Sequence, residues 1–303
     1  MAEFQAIILA GGSGIRLYPL TDAQPKCLLP VNEKPLLWYQ LQLLENARFD
    51  HVLIVTAAEM VPPIQKFLTC DYVGAIKTEI CQVESGLETV EALRAISNRI
   101  DRDFIVITGD LITDATLHHL ADIHRIKNAT VTIMCQSQTH KNRREKDMVD
   151  CIGLSNEHRV IFHSQAIHLT EQLRITKTLL KRAPQINLHT NLYDAHVYIF
   201  TYGVLRVLMA KKELQSIKSD LIPFLIRAQF REQLWDDSLR ELADFKRIPH
   251  EAPISAPPES DSLIQCCAYI LPDSAYCERA DTIPAYNAMN AEVHTRLHLP
   301  KRT

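Results

Sequence analysis

Residues 7–31, IILAGGSGIRLYPLTDAQPKCLLPV, decide the fold of this chain. An apolar run at residues 6–10 opens the stretch and is short enough to be a buried strand. Gly11, Gly12 and Gly14 follow it, and glycine can take a positive φ and let the backbone approach a ligand closely. Successive amides in such a turn form a concave donor site for phosphate oxygens. The sequence therefore predicts a strand that ends in a phosphate-binding turn.

Two cationic residues follow the glycines in the same stretch. Arg16 offers a planar fork of donors for phosphate, and Lys26 adds a mobile point charge. For the letters GGSG alone, a structural turn at a strand end is the commoner explanation, but the two cations favour a cradle for nucleotide phosphates. If the chain is a transferase, Arg16 and Lys26 are its candidate catalytic residues. The predicted nucleotide-binding residues are Gly11, Gly12, Gly14, Arg16 and Lys26.

The spacing of the glycines differs from that of two commoner phosphate loops. The dinucleotide-binding fingerprint has glycines at its first, third and sixth places and opens a helix directly. Here the glycines take the first, second and fourth places, and Pro19 and Pro25 keep the following chain extended. The P-loop ends in Gly-Lys-Ser/Thr, which this stretch lacks.

The stretch resembles instead the signature of the sugar-phosphate nucleotidyltransferase superfamily. The shared features are the glycine-rich loop, the following Arg, Pro-Leu-Thr, Pro-Lys and Pro-Val. This resemblance implies a reaction that joins a nucleoside triphosphate to a sugar phosphate and releases pyrophosphate. It also implies a mixed α/β sheet of Rossmann-like type.

The composition limits the class of protein and its partners. The chain has 303 residues, 47% of them hydrophobic, so it can bury a sizeable core. The net charge of −3 gives no basic footprint for direct nucleic-acid binding, and no apolar run approaches the roughly 18 residues of a membrane span. The N-terminus has no basic region of a signal peptide. Eight cysteines without a Cys-x-x-Cys pair argue against a zinc site and suit a reducing cytosol.

Strand and helix patterns alternate along the first half of the chain. This alternation predicts an α/β fold, a Rossmann-like mixed and mostly parallel sheet of the nucleotidyltransferase type with helices on both faces. The predicted nucleotidyltransferase-like domain covers residues 1–247. A proline-rich linker or loop follows at 248–262, and a strand and helix at 263–303 pack on the domain.

Asp110 is the candidate metal ligand. It follows Gly109 at the end of an apolar strand, where ligands of such sheets bind, and a carboxylate there could hold Mg²⁺. The matching Gly-Asp of the superfamily does so. The alternative is an aspartate that caps a helix or forms a turn. The superfamily also has a second aspartate late in the domain, for which Asp236 and Asp237 are the nearest candidates, although their context does not match well.

The pocket for the acceptor substrate is predicted to be altered. The superfamily's base-recognition Gly-Thr-Ala is Glu88-Thr89-Val90 here, so a charged side chain replaces a bare backbone. The strand that usually reads Asn-Ala-Gly-Ile-Tyr is Asp-Ala-His-Val-Tyr here, so that His196 replaces glycine where the sugar should sit. An ordinary packed histidine is the alternative for His196, and in either case the ring fills space.

With these departures the chain resembles one branch of the superfamily. This branch is the gamma subunits of the guanine-nucleotide exchange factor that serves eukaryotic translation initiation factor two. The similar segments are residues 3–56, 109–114, 194–198, 219–230 and 267–290. The resemblance implies a cytosolic scaffold that binds the catalytic epsilon subunit and docks with it on a regulatory core, thereby serving initiation factor two. It implies no required cofactor, and Mg²⁺ only with a bound nucleotide. Family members continue into a left-handed β-helix of hexapeptide repeats; this sequence stops at Thr303 without them, which is expected either of a fragment or of a short natural form.

Three interpretations therefore remain open. The first is a non-catalytic scaffold subunit of the exchange factor. The second is an active sugar-phosphate nucleotidyltransferase with Mg²⁺-dependent release of pyrophosphate. The third is a sensor that binds GTP or another nucleotide without turnover. The altered acceptor pocket favours the first, and the intact glycine loop keeps nucleotide binding as an expectation.

Overall fold

The structure is a computed structural model that describes residues 1–12, 14–137, 150–165, 185–231, 235–247 and 263–296. The strands are β1 (Gln5–Leu9), β2 (Pro30–Val31), β3 (Lys34–Pro35), β4 (His51–Ala57), β5 (Lys77–Val83), β6 (Phe104–Thr108), β7 (Leu111–Thr113), β8 (Val131–Ser137), β9 (Asp150–Leu154), β10 (Val160–Gln165), β11 (Asn187–Phe200), β12 (Cys266–Ile270) and β13 (Cys277–Arg279). The α-helices are α1 (Leu36–Asn46), α2 (Val61–Cys70), α3 (Thr89–Ala95), α4 (Leu117–Ile126), α5 (Val204–Ala210), α6 (Ile222–Ala228), α7 (Asp237–Arg247) and α8 (Ile283–Arg296).

A mixed sheet of nine strands forms the centre of the described part of the chain. Strands β6, β1, β4 and β5 lie side by side and run parallel. The long strand β11 runs antiparallel to β6 and continues the sheet toward β8, β9 and β10. Strand β12 joins the far side of β8 in parallel. The predicted Rossmann-like mixed α/β fold is confirmed.

Alternate residues of each strand face opposite sides of the sheet, because side chains alternate along a strand. In β1, Ile7 packs in the core on one face, and Ala6 and Ile8 pack in the core on the other. The first face is covered by α3, α5, α6 and α7. The second is covered by α1, α2 and α4. Both faces are buried, which explains why the central residues of β1, β4 and β6 are mostly apolar.

The carboxyl ends of β1 and β6 meet, and this places the glycine loop beside Asp110. Leu9 pairs with Thr108 at the last position of the two strands. The Gly109 amide then donates to the Leu9 carbonyl at 2.8 Å. A Cβ atom at position 109 would lie 2.9 Å from that carbonyl oxygen, so the close approach of the two chains requires glycine there.

The C-terminal segment of the described chain lies against the same end of the sheet. Strand β13 pairs antiparallel with β7 and sets Arg279 opposite Leu111. Helix α8 buries Met289 and Val293 in a small core shared with Leu17, close to the glycine loop. Residues 248–262 lie outside the described residues, so the linker and the domain boundaries drawn on it stay a prediction.

The structure describes the state of the cysteines and the apolarity of the helices. Seven of the eight cysteines are buried and all are free thiols. None of the helices in the described ranges combines the length and apolarity that a membrane span requires.

Candidate functional site

The glycine loop leaves β1 at the edge of the sheet where the parallel strands end. Gly11 lies against the backbone of Thr56 and Ala57 in β4, whereas Gly12 is exposed with open space around it. Gly14 has a φ of 65°, in the left-handed region, and its carbonyl accepts a bond from the Thr21 hydroxyl at 3.0 Å. Gly11 and Gly14 thus have contacts that fix their place, while Gly12 is open to a ligand.

Arg16 lies in a short 3-10 turn, Ile15–Leu17, directly after the loop. Its neighbour Leu17 is buried in the small core beneath and anchors the turn, while Arg16 itself is exposed. A guanidinium in this position can reach a phosphate bound at the loop without losing a structural contact.

Asp110 is the centre of a buried charge cluster. Its Oδ2 atom lies 2.6 Å from Lys26 Nζ and 2.9 Å from an Nη atom of Arg279. Its Oδ1 atom accepts from Arg279 Nε at 3.2 Å and from the Thr108 hydroxyl at 2.8 Å. The carboxylate side chain is only 4% exposed, and the two cations are 18% and 16% exposed. One carboxylate thus binds two cations that reach it from opposite ends of the chain.

The charges around Asp110 fix its ionisation. Burial by itself would raise its pKa, but Arg279 and Lys26 outweigh burial and hold the pKa well below the ordinary value of 3.8. Burial would lower the pKa of Arg279, and Asp110 reverses this and raises it. Both groups are therefore charged across the physiological range of pH, so the cluster is a permanent ion pair network.

The fit of Mg²⁺ to Asp110 can be judged from this geometry. Magnesium needs oxygen ligands at about 2.0–2.1 Å in a near-octahedral set. Both Asp110 oxygens already have partners: Oδ2 binds Lys26 and Arg279, and Oδ1 binds Arg279 and the Thr108 hydroxyl. Within the described ranges, no three His, Cys, Asp or Glu side chains converge in a way that would hold a metal ion. The residues present do not fit the metal predicted at Asp110.

His196 lies in a bulge of β11, where the register against β8 shifts between Asp194 and Tyr198. Its φ is 56°, a left-handed conformation that favours glycine. Its amide donates to Asp194 Oδ1 at 2.7 Å. Burial, followed by the nearby charges of Arg279 and Lys218, lowers the pKa of His196 well below 6.5, so the ring is uncharged. A neutral imidazole therefore stands beside the charge cluster.

Replacing His196 by valine is expected to destabilise the chain by about 1–2 kcal/mol more than replacing it by glycine. A β-branched residue is strained in the left-handed region, whereas glycine adopts it freely. Both changes remove the ring, so the difference reports mainly the backbone strain of valine, reduced by the larger chain entropy that glycine loses on folding. Chemical denaturation of the two variants measures it. Equal stability of the two would contradict a left-handed backbone at this position.

Glu88 has a structural role in the helix that follows it. It is the N-cap of α3, where its side chain accepts from the backbone amide of Glu91 and the Glu91 side chain accepts from the Glu88 amide at 3.0 Å. The late aspartate Asp236 forms an ion pair with Lys211 and accepts from the Leu239 amide at the start of α7. The structure thus brings together Lys26, Asp110 and His196 from the predicted set and assigns capping contacts to Glu88 and Asp236.

Arg279 is the residue of the site that sequence reasoning missed. It lies 169 positions from Asp110 in the chain, in the short strand Cys277–Arg279. A single arginine among apolar and mixed residues carries no local motif. Only the pairing of β13 with β7 identifies Arg279 as part of the site, because the register of the two strands places its guanidinium over Asp110.

The comparisons with known proteins agree with the fold and the glycine loop. The family model for nucleotidyl transferases matches residues 5–146. A Bacillus anthracis protein described as a glucose-1-phosphate thymidylyltransferase, solved in complex with a sucrose, matches with a TM-score of 0.66 over 99% of this chain and 98% of its own, at 16% identity. At this identity the match shows the fold alone. The chain has the fold of a nucleotidyltransferase.

Curated relatives show which branch of that fold the chain resembles. The chain is similar to "Translation initiation factor eIF2B subunit gamma" of Schizosaccharomyces pombe, at 29% identity over 95% of this chain and 65% of that protein. The gamma subunit of Dictyostelium discoideum is 26% identical over 96% of this chain and 75% of its own length. The epsilon subunit of the same organism is 26% identical over 72% of this chain and 32% of its own. The resemblance to eIF2B gamma subunits is confirmed, and the chain spans about two thirds of the Schizosaccharomyces relative.

Proposed function

We propose that this chain is a gamma-type subunit of the exchange factor that reloads translation initiation factor two with GTP. In this proposal it works in the cytosol as a scaffold that holds the catalytic epsilon subunit and docks with it on the regulatory core. The observation that carries the proposal is the similarity to gamma subunits over 95% of the chain, which includes the altered acceptor region as well as the glycine loop.

The charge cluster supports a binding role over transfer chemistry. Nucleotidyl transfer needs cations that are directed at the reacting phosphate. A divalent metal commonly supplies part of that charge, and Asp110, the candidate ligand for it, is instead bonded to Lys26 and Arg279. The His196 ring stands in the bulge where the superfamily has glycine. Both features support a domain that retains the transferase fold and has exchanged its reaction for an assembly function.

The epsilon subunit is the partner that the comparisons favour. An epsilon relative matches 72% of this chain, so the two kinds of subunit carry related domains of the same fold. Related domains commonly associate through equivalent surfaces in a pseudo-symmetric pair. A gamma-type chain that pairs with epsilon is the simplest assembly consistent with this relationship.

The test is affinity purification of the tagged chain from eukaryotic cell extract, followed by mass spectrometry. The expected result is co-purification of epsilon and the regulatory subunits in comparable molar amounts. A matched control is the tagged chain with Leu53→Asp, which buries a charge in the sheet core and unfolds the domain. That control should recover none of them. Recovery of the wild-type chain alone would contradict the scaffold proposal.

An active nucleotidyltransferase is the second candidate, and the open glycine loop with exposed Arg16 favours it. It requires Mg²⁺-dependent release of pyrophosphate from a nucleoside triphosphate and a sugar phosphate. We expect no such release from the wild-type chain. Release that disappears in Lys26→Ala and in Asp110→Ala, while Arg206→Gln on the far helix α5 retains it, would establish the transferase instead.

A further inference from the structure

The site contains a cation supplied by the chain itself at the position predicted for a metal. We infer that Arg279 takes the place of a divalent metal at Asp110, so that the glycine loop binds a polyphosphate group without Mg²⁺. This inference rests on the glycine loop acting as a phosphate-binding site and not on the proposed assembly with other subunits.

Both oxygens of the Asp110 carboxylate are already occupied by cations of the chain. Arg279 binds Asp110 in a fork, with Nε on one oxygen at 3.2 Å and an Nη atom on the other at 2.9 Å. This bidentate geometry uses both oxygens and is the strong form of a charge-assisted contact. Lys26 adds a second cation at 2.6 Å. A metal ion entering here would have to displace two buried positive charges, which electrostatics opposes.

The cluster around Asp110 contains more positive than negative charge among its bonded residues, and this favours an anionic ligand. Lys26 and Arg279 against Asp110 leave a net charge of about +1 among these three residues, and the buried carboxylate of Asp281, which also acts on Arg279, offsets part of it. The fork to Asp110 uses two of the five N–H donors that a guanidinium carries, so Arg279 keeps donors for an anion. His196 is neutral and does not add to this charge. Exposed Arg16 adds a further positive charge on the loop side.

The charge cluster lies next to the glycine loop in the fold. Asp110 and the glycine loop follow the paired ends of β6 and β1, so the cluster and the loop share one edge of the sheet. Phosphates of a ligand cradled by the loop amides therefore face Lys26 and Arg279. In this arrangement the charge neutralisation that a metal commonly supplies for phosphates comes from two side chains of the chain.

This arrangement reverses the usual effect of Mg²⁺ on affinity. A free triphosphate carries about −4 charge, and Mg²⁺ bound to it lowers this to about −2. A site built from cations alone prefers the more negative ligand, whereas a site that holds a metal on carboxylates needs Mg²⁺ to bind the ligand at all. The sign of the Mg²⁺ effect therefore separates the two kinds of site.

The experiment is isothermal titration of the full chain with inorganic tripolyphosphate, once with EDTA and once with excess Mg²⁺. We expect binding in EDTA and affinity on the order of tenfold weaker in Mg²⁺, the size of one charge-assisted hydrogen bond. Arg279→Gln should weaken binding in EDTA by on the order of tenfold as well. The matched control is Arg206→Gln, which removes an exposed arginine paired with Glu241 and should leave the affinity unchanged.

Several outcomes would overturn the inference. One is affinity that rises when Mg²⁺ is added, and another is the absence of tripolyphosphate binding under both conditions. A third is stoichiometric binding of Mn²⁺ to the wild-type chain, measured by the loss of the free-ion electron paramagnetic resonance signal. These measurements on the wild-type chain stand even if Arg279→Gln fails to fold. Recovery of the epsilon subunit in the purification test is independent of all of them.

Discussion

Replacing Asp110 by asparagine is expected to lower the free energy of unfolding by about 3 kcal/mol. The change removes the negative charge that compensates two cations and leaves Lys26 and Arg279 facing each other in a site that is mostly closed to water. Breaking a buried ion pair by removing one partner costs about 3–5 kcal/mol, and the partial exposure of the two cations places this site at the lower end. Urea denaturation at neutral pH measures the loss.

The matched control for this change is Asp101→Asn. Asp101 also pairs with an arginine, Arg102, at 2.7 Å, but both side chains are more than half exposed. Exposed ion pairs contribute about 0–1 kcal/mol, so this variant should stay close to the wild type. Equal losses from the two variants would show that the Asp110 cluster is no stronger than a surface pair and would contradict the buried network.

The acid limb of the stability curve gives a second readout of the same carboxylate. The pKa of Asp110 is held well below 3.8 in the folded chain, so the unfolded chain binds its proton more readily. Its contribution is therefore complete above 3.8 and is lost as the pH falls through the folded pKa. The stability difference between the wild type and Asp110→Asn should shrink as the pH falls from about 4 toward the folded pKa. A difference that stays constant over this window would contradict the pKa shift.

Replacing Asp194 by alanine is expected to lower the free energy of unfolding by about 2–4 kcal/mol. Asp194 is 4% exposed and accepts two bonds inside the β11 bulge. The Tyr198 hydroxyl donates to it at 2.5 Å and the His196 amide at 2.7 Å. Alanine leaves both buried donors without an acceptor, and each such loss costs about 1–3 kcal/mol. The bulge would lose the contacts that hold His196 in its left-handed conformation.

The matched variant is Asp194→Asn, which keeps an oxygen acceptor for the His196 amide and removes the charge. Burial raises the pKa of Asp194 above 3.8, only partly opposed by Lys218, so the charged form is costly to bury. A raised carboxyl pKa gives stability that is complete below 3.8 and is lost as the pH rises through the folded value. Asp194→Asn should therefore stay within about 1 kcal/mol of the wild type at neutral pH. Parallel urea titrations of both variants measure the two losses in stability. A loss for Asp194→Asn as large as that for Asp194→Ala would contradict the conclusion that the Asp194 charge is costly to bury.

Much of the fold could be predicted from the sequence because the signals are local. An apolar strand followed by Gly11, Gly12 and Gly14 specifies a turn at a sheet edge, and alternating strands and helices specify a sheet covered on both faces. The position of Lys26 near Asp110 could also be expected, since both belong to loops at the carboxyl ends of neighbouring strands. These inferences depend on spacing within a few residues or on one general property of parallel sheets.

Charges and backbone conformation at the site were decided by tertiary structure. Arg279 reaches Asp110 only because β13 pairs with β7, a contact between segments 169 positions apart that no local pattern encodes. The left-handed backbone of His196 arises from a bulge whose register depends on the neighbouring strand β8. The capping contact of Glu88 depends on where α3 begins. Sequence by itself determined the architecture and the glycine loop, whereas long-range pairing determined which charges meet at the carboxylate, because electrostatic interactions depend on distance in space and not on distance along the chain.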